Sequence, residues 1–215
     1  LNPDTDGDGI CDGPNAVAGV CIAGPDFNTG PPVIATPIVL VNNTAVAEID
    51  PFFVVSGATY SLSPALPTSL QFDASNGSIW GTPDMTMANT SYTMWANLSN
   101  GVSVEWIFYL SVLDDFDGDG LPDVLPGDYN GSEDPIRSAP GLEEDLDDDG
   151  DGLNDSVETG TGTYVDANDT GTNSLNPDTD GDGICDGPNA VAGVCIAGPD
   201  FNTGPPVIAT PIVLV

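Results

Sequence analysis

The 215-residue chain carries 34 acidic residues against one basic residue, Arg137, and has no histidine, so its formal net charge is −33. No basic patch can be assembled from this composition, which excludes nucleic-acid binding and adhesion to an anionic membrane. No apolar run approaches the roughly 18 residues of a membrane span, and without lysine or histidine no familiar nucleophile–base pair can be built, so a non-enzymatic role is expected.

Residues 1–41 recur unchanged as residues 175–215. The chain therefore reads as one repeat of 174 residues and the start of the next, as in a tandem array. The acids are uneven: 28 of the 34 are Asp, five acids fall in 33–112 and 24 in 114–204, whereas ten of the fifteen aromatics, all three Trp among them, lie in 33–112. This divides the chain into 1–30, the end of an acidic segment; 31–113, an apolar domain; 114–204, an acidic segment; and 205–215, the first strand of the next apolar domain. The apolar part can enclose one modest core, while the acidic part has too few large apolar residues to fold by burial alone.

The first segment opens with Asp4, Asp6, Asp8, Gly9 and Asp12, spaced D-x-D-x-D-G-x-x-D. Carboxylates at alternate positions of a tight loop converge on one point, and the glycine permits the sharp turn after them. The Ile10 carbonyl can then face a bound ion, and Asp12 adds a side chain or a water. Short oxygen ligands in a flexible loop suit Ca2+, which accepts six to eight of them; zinc is disfavoured without histidine. Cys11 and Cys21 follow with C-x9-C spacing, expected to bridge in an oxidising compartment, with free buried thiols as the alternative.

In the apolar domain, Val33 to Val41 and Thr44 to Ile49 are β-rich. Tyr92 to Leu98 and Val102 to Val112 alternate with period two, the latter aligning Val102, Val104, Trp106, Phe108, Leu110 and Val112 on one face. Asn100-Gly101 between them is a strong hairpin signal. Pro32, Pro37, Pro51, Pro64, Pro67 and Pro83 leave no room for a long helix. The expected fold is all-β, an immunoglobulin-like sandwich. The stretch from Ser63 to Pro83, SPALPTSLQFDASNGSIWGTP, resembles the signature of the putative-Ig family of microbial surface proteins, with Ser69 and Asn76 where that family usually has Gly and Thr. The resemblance implies a cadherin-like sandwich used as a spacer or adhesive module.

The acidic segment carries the same loop pattern at Asp115, Asp117, Asp119, Leu121 and Asp123, and at Asp147, Asp149, Asp151, Leu153 and Asp155, where Glu158 completes a twelve-position pattern. It returns at Asp178, Asp180, Asp182, Ile184 and Asp186. The other loops have Asn15, Pro126 and Asn189 at the twelfth position and would complete their shells from Asp26, Asp128, Asp134 or Asp200. Asp145, Asp147, Asp149 and Gly150 offer an alternative frame for the third loop. Pro14, Pro122, Pro126 and Pro188 stand where the exit helices of EF-hands would begin, so an irregular segment is expected. Thr172 to Gly187, TNSLNPDTDGDGICDG, is similar to the microbial form of the thrombospondin type-3 repeat; the resemblance implies an elongated segment whose folding depends on calcium. Residues 160–173 hold at most a degenerate site. Cys185 and Cys195 repeat the C-x9-C pair.

Seven N-glycosylation sequons begin at Asn42, Asn76, Asn89, Asn97, Asn130, Asn154 and Asn168, the first four being the stronger acceptors for N-linked glycans. Together these features predict a structural repeat unit of a secreted, Ca2+-stabilised fibre or cell-surface stalk whose partners are neighbouring repeats of the same protein, in tandem or as a head-to-tail polymer. The alternative is a calcium-dependent adhesin whose sandwich binds a carbohydrate or protein partner on a cell surface, with Trp95 or Tyr109 in its recognition face.

Overall fold

The computed structural model describes residues 3–13, 15–23, 33–34, 37–127, 129 and 142–201. Asp26, Asp128, Asn130, Asp134 and the expected strand 205–215 lie outside the described residues. The chain divides into two compact units, one made of Leu1–Asp114 with Gly120–Glu143, the other of Asp115–Asp119 with Glu144–Val215.

The first unit holds seven strands among its described residues: β1 (Ile38–Val41), β2 (Val46–Ile49), β3 (Thr59–Ser63), β4 (Leu70–Phe72), β5 (Ile79–Gly81), β6 (Met87–Asn97) and β7 (Ser103–Leu113). They form two sheets, ordered β1-β7-β6-β3 and β2-β5-β4. All neighbours are antiparallel except β1 and β7, which run parallel. The alternation of β7 is realised as read: Val104, Trp106, Phe108, Leu110 and Val112 are buried. They share one core with Tyr92, Met94 and Ala96 of β6 and with Ile49, Leu70 and Ile79 of the second sheet, so the two sheets make a sandwich. A fully buried side chain of this size contributes about 1.5–3 kcal/mol. Phe53 meets the Trp106 ring edge-on with centroids 5.3 Å apart. The Asn100-Gly101 hairpin forms, with Gly101 at φ +91° and the Asn100 side chain accepting from the Val102 amide at 3.1 Å.

β1 pairs only with Leu110 to Leu113, which leaves the Ser103–Ile107 edge of β7 to other partners. The Ile34 amide donates to the Ile107 carbonyl at 2.7 Å, and the Glu105 amide donates to the carbonyl of Asp8 at 3.1 Å. The first acidic loop thus seats on the sandwich. A β-carbon at Gly9 would stand 2.2 Å from the Ser103 carbonyl oxygen. Ile10 enters the core cluster, and Ile22, bridged to it, packs against the same cluster. An unpaired strand edge invites pairing with a foreign strand, and here it is capped from within the chain.

The second unit is irregular. Its helical content among the described residues is one 3-10 turn, Asp155–Val157, capped by the Asn154 side chain, which accepts from the Ser156 amide. No α-helix flanks any of the acidic loops among the described residues.

Candidate metal centres

Each loop is held by hydrogen bonds from its own backbone to the carboxylates the sequence singles out. In the loop at 178–186, Asp178 accepts from the amides of Gly181 and Gly183 at 2.9 and 2.8 Å. Asp180 accepts from Asp182 at 3.1 Å, and Asp182 from Ile184 at 2.9 Å. The loop at 4–12 repeats the scheme: Asp4 with Gly7 and Gly9, Asp6 with Asp8, Asp8 with Ile10. In the third loop Asp147 accepts from Gly152, Asp149 from Asp151 and Asp151 from Leu153. In the second, Asp115 accepts from Gly118 and Asp117 from Asp119. The glycine after each triad, Gly9, Gly120, Gly152 or Gly183, takes a φ between +86° and +98° that side chains with a β-carbon rarely adopt.

Within each loop the carboxylates converge. The trios Asp4–Asp6–Asp8, Asp115–Asp117–Asp119, Asp147–Asp149–Asp151 and Asp178–Asp180–Asp182 each bring one oxygen per residue within 4.8 Å of the others. At that distance two charges repel by about 3 kcal/mol at an effective dielectric of 20. Burial, reinforced by the neighbouring Asp151, Glu158 and Asp147 charges, pushes Asp149 up to about 8. Burial followed by neighbouring carboxylates also raises Asp147 to about 6. Oδ2 of Asp149, Asp180 and Asp182 is enclosed without a hydrogen-bond donor. Enclosed anionic oxygens lacking donors, with no nitrogen or sulfur ligand beside them, fit a hard divalent cation. All four cysteines are in disulfides, Cys11–Cys21 and Cys185–Cys195, as the spacing suggested.

A further trio joins separate loops. Asp151, Glu158 and Asp186 are all buried and bring their carboxylates within 4.8 Å. Glu158, expected at the twelfth position of the third loop, stands here with Asp186 from the fourth. Burial first, then the Asp151, Asp186 and Asp155 charges, carries Glu158 up to about 7; burial raises Asp186 to about 6. Asp151 belongs to both trios, and one of its oxygens also accepts from the Gly187 amide at 2.6 Å. The Asn189 amide donates to the Asp151 carbonyl at 2.6 Å, and a β-carbon at Gly187 would stand 2.3 Å from Asp151 Oδ1. Sequence spacing cannot foresee this trio, because its members come from loops about thirty residues apart and only tertiary packing unites them.

The ninth-position aspartates fasten their loops. Asp12 accepts from the amide and hydroxyl of Thr5 at 3.1 and 2.6 Å, Asp186 from the Thr179 amide at 3.0 Å, and Asp155 from the Asp148 amide at 3.0 Å. Asp123 donates its amide to the Asp114 carbonyl. The Leu121 side chain is exposed. Asp145 accepts from Leu146 and Asp147 and stands outside the converging trios. Residues 160–173 fold into a short bridged turn, Asp166 opposite Asp169, with no such trio. Among the sequons, the exposed Asn97 side chain is engaged by Thr59, Ser61 and Ser103, that of Asn76 by Glu48 and Ser78, and that of Asn168 by Asp166. Asn42 is half-buried. Asn89 is exposed on β6 where its register with β7 slips.

The two-sheet core and the turn from Asp73 to Gly77 joining β4 to β5 coincide with one known family. Residues 31–113 match the family described as Putative Ig domain. The Putative Ig domain thus accounts for the sandwich and for none of the acidic loops after it. Among solved structures, a putative alpha-galactosidase from Bacteroides fragilis is 17% identical over 39% of this chain and 16% of that one, with a TM-score of 0.28. Mouse cadherin-23 is 15% identical over 39% of this chain and 31% of that one, TM-score 0.28. The first Ig-like domain of human CD48 is 13% identical over 50% and 98%, TM-score 0.31. Similarity at this level carries no argument, and the chain spans only a small part of the first two. No curated protein matches the chain.

Proposed function

We propose that this chain is a structural unit of an extracellular fibre or cell-surface stalk, in which Ig-like sandwiches alternate with connectors stiffened by Ca2+ and carry N-linked glycans. The observation that carries the reading is the linked set Asp147, Asp149, Asp151, Glu158 and Asp186. It gathers four buried carboxylates and the half-buried Asp147 in a chain that has one basic residue in all and no histidine. Such a set folds only when protonated or when a cation takes the place of the missing positive side chains. Bound there, Ca2+ would supply the neutralising charge and cross-link the third loop to the fourth. The role of the chain's own residues is to hold Asp151 between two trios and to aim Glu158 and Asp186 at it. The disulfides and the Ig-like sandwich support an oxidising, extracellular setting. The 41-residue recurrence supports partnership with neighbouring repeats.

Small-angle X-ray scattering in millimolar calcium and then in chelator, paired with calorimetric titration, tests the reading. An extended particle that loosens on chelation, with several ions bound per chain, is expected. A profile indifferent to chelator and a flat titration would overturn it. The adhesin alternative gains no support from its named residues: Trp95 and Tyr109 are half-buried, and the Trp95 indole donates to Glu105 at 2.5 Å.

A further inference from the structure

A sequon accepts a sugar only where the fold leaves it free. Its carboxamide nitrogen is the nucleophile, and the hydroxyl two residues on is read with it. Six of the seven sequons fall on described residues, and in five of them the fold holds these groups. At Asn76, Nδ2 donates to Glu48 at 3.3 Å, and the hydroxyl two residues on is that of the fully buried Ser78, which donates to the same carboxylate at 2.6 Å. The Asn97 carboxamide is held across three strands: Nδ2 donates to the Ser61 hydroxyl at 3.2 Å, and Oδ1 accepts from the Ser103 hydroxyl at 2.8 Å. The Leu98 amide, in the middle of that sequon, donates to the Val102 carbonyl at 2.8 Å inside the hairpin. Asn154 caps the 3-10 turn, and its Oδ1 accepts from both the amide and the hydroxyl of Ser156, so that sequon is curled on itself within the third loop. At Asn168, Nδ2 donates to Asp166 at 3.4 Å, and the hydroxyl of the buried Thr170 donates to the Val157 carbonyl at 2.9 Å. Asn42 and Thr44 are both half-buried, Asn42 Oδ1 is enclosed, and the Thr44 amide turns back to the Val41 carbonyl at 3.3 Å.

Asn89-Thr90-Ser91 differs on each count. Asn89 and Ser91 are exposed, and neither side chain has a hydrogen-bond partner among the described residues. The Thr90 hydroxyl between them donates to the Ala88 carbonyl at 2.7 Å. The backbone is already extended, as part of β6. On the β7 side the register slips between Met87 and Thr90, and on the other side β3 reaches only as far as Thr93, opposite Ser63. An enzyme that takes its acceptor as extended chain can approach Asn89 without displacing a strand.

We propose that Asn89 is the glycan-attachment site of the folded sandwich, and that the side chains of Asn42, Asn76, Asn97, Asn154 and Asn168 serve the fold instead. The co-reactant is an oligosaccharide linked through phosphate to a polyprenyl lipid. Nδ2 of Asn89 attacks the anomeric carbon; the C–N bond forms as the C–O bond to the lipid phosphate breaks. The lipid phosphate leaves with the bonding pair, and the amide proton passes to the transferase. The attached sugar then stands beside the stretch of β6 that β3 does not cover, and its bulk opposes pairing by a foreign strand there. The inference rests on the glycan part of the reading above, which it narrows to one residue.

The test gives the full folded chain, in calcium, to a purified oligosaccharyltransferase that accepts the plain sequon, together with its lipid-linked oligosaccharide. Mass spectrometry follows the occupancy of each sequon with time. Synthetic peptides spanning each sequon serve as unfolded acceptors. In the folded chain Asn89 should be modified about tenfold or more faster than each of the other five, because those react only through local opening. Among the peptides Asn89 should hold no such lead. Ser91→Ala should abolish the product at Asn89. A folded chain modified first at another of the six, or at Asn89 no faster than at Asn97, overturns the inference and leaves the glycan reading standing. So does an equal lead for Asn89 among the peptides, since the fold would then not be what selects it. Peptides that accept no sugar at all reject the glycan reading and the inference with it; the calorimetric titration decides the calcium reading separately.

Discussion

Gly9→Ala and Gly183→Ala are the same substitution in the same local sequence, and they should behave differently. Both glycines adopt left-handed backbone, φ +86° and +88°, so a β-carbon costs about 1 kcal/mol at either site. At Gly183 that is the whole effect, since nothing lies within 4 Å. At Gly9 the added methyl would sit 2.2 Å from the Ser103 carbonyl oxygen, which is backbone and cannot rotate away. The loop must lift off, losing the Glu105–Asp8 hydrogen bond, about 1 kcal/mol, and the burial of Ile10, about 1.5–3 kcal/mol. The sandwich should therefore lose about 2.5–4 kcal/mol, and its melting temperature should fall by roughly 10–30 °C. All three tryptophans, Trp80, Trp95 and Trp106, lie within the Ig-like match, so tryptophan fluorescence reports this unit alone. Gly183→Ala should leave the fluorescence melt unchanged. Equal shifts from the two variants, or no shift from Gly9→Ala, would refute the seating of residues 8–10 on β7.

Two more predictions concern the acidic loops. In chelator, Asp149, Glu158, Asp147 and Asp186 have folded-state values of about 8, 7, 6 and 6, all above their ordinary range. Their contribution to stability is then complete below pH 4 or so and is lost as pH rises through 6 to 8. Exchange protection of the Gly187 amide should fall over that window without calcium and hold with it; protection that rises with pH would sink the assignment. Asp151→Asn should abolish ion binding at both trios that Asp151 serves, while Asp180→Asn abolishes one, a difference read as the loss of two sites against one in calorimetric stoichiometry.

The period-two face of β7 was legible because every second residue from Val104 to Val112 is large and apolar, and a strand with that pattern has one stable orientation. The Asn100-Gly101 hairpin was legible for an equally local reason. The loop spacing foretold which carboxylates converge within each turn, since the amides that hold Asp147 or Asp178 lie three to five residues away. The parallel pairing of β1 with β7 was not legible, because nothing in Ile38 to Val41 encodes the direction of a neighbour seventy residues on. Nor was the role of Glu158, which local spacing assigns to the loop before it and packing also places beside Asp186. The two identical 41-residue stretches mark the limit most sharply. No reading of their letters could say that one leans on the Ser103 backbone and the other on Asp151.

The Asp8 carbonyl covering the Glu105 amide also bears on handling the protein. The shielded amide belongs to an 11-residue strand whose edge away from β6 has, along Ser103 to Ile107 and among the described residues, backbone hydrogen bonds to Asp8 and Ile34. Stripping the acidic loop from this edge, by reduction, by low ionic shielding of its crowded carboxylates or by proteolysis between the loop and the sandwich, leaves a long hydrogen-bonding template open to solvent. Solutions so treated should thicken and gel through strand-to-strand growth, even though the net charge of −33 keeps the intact molecules apart.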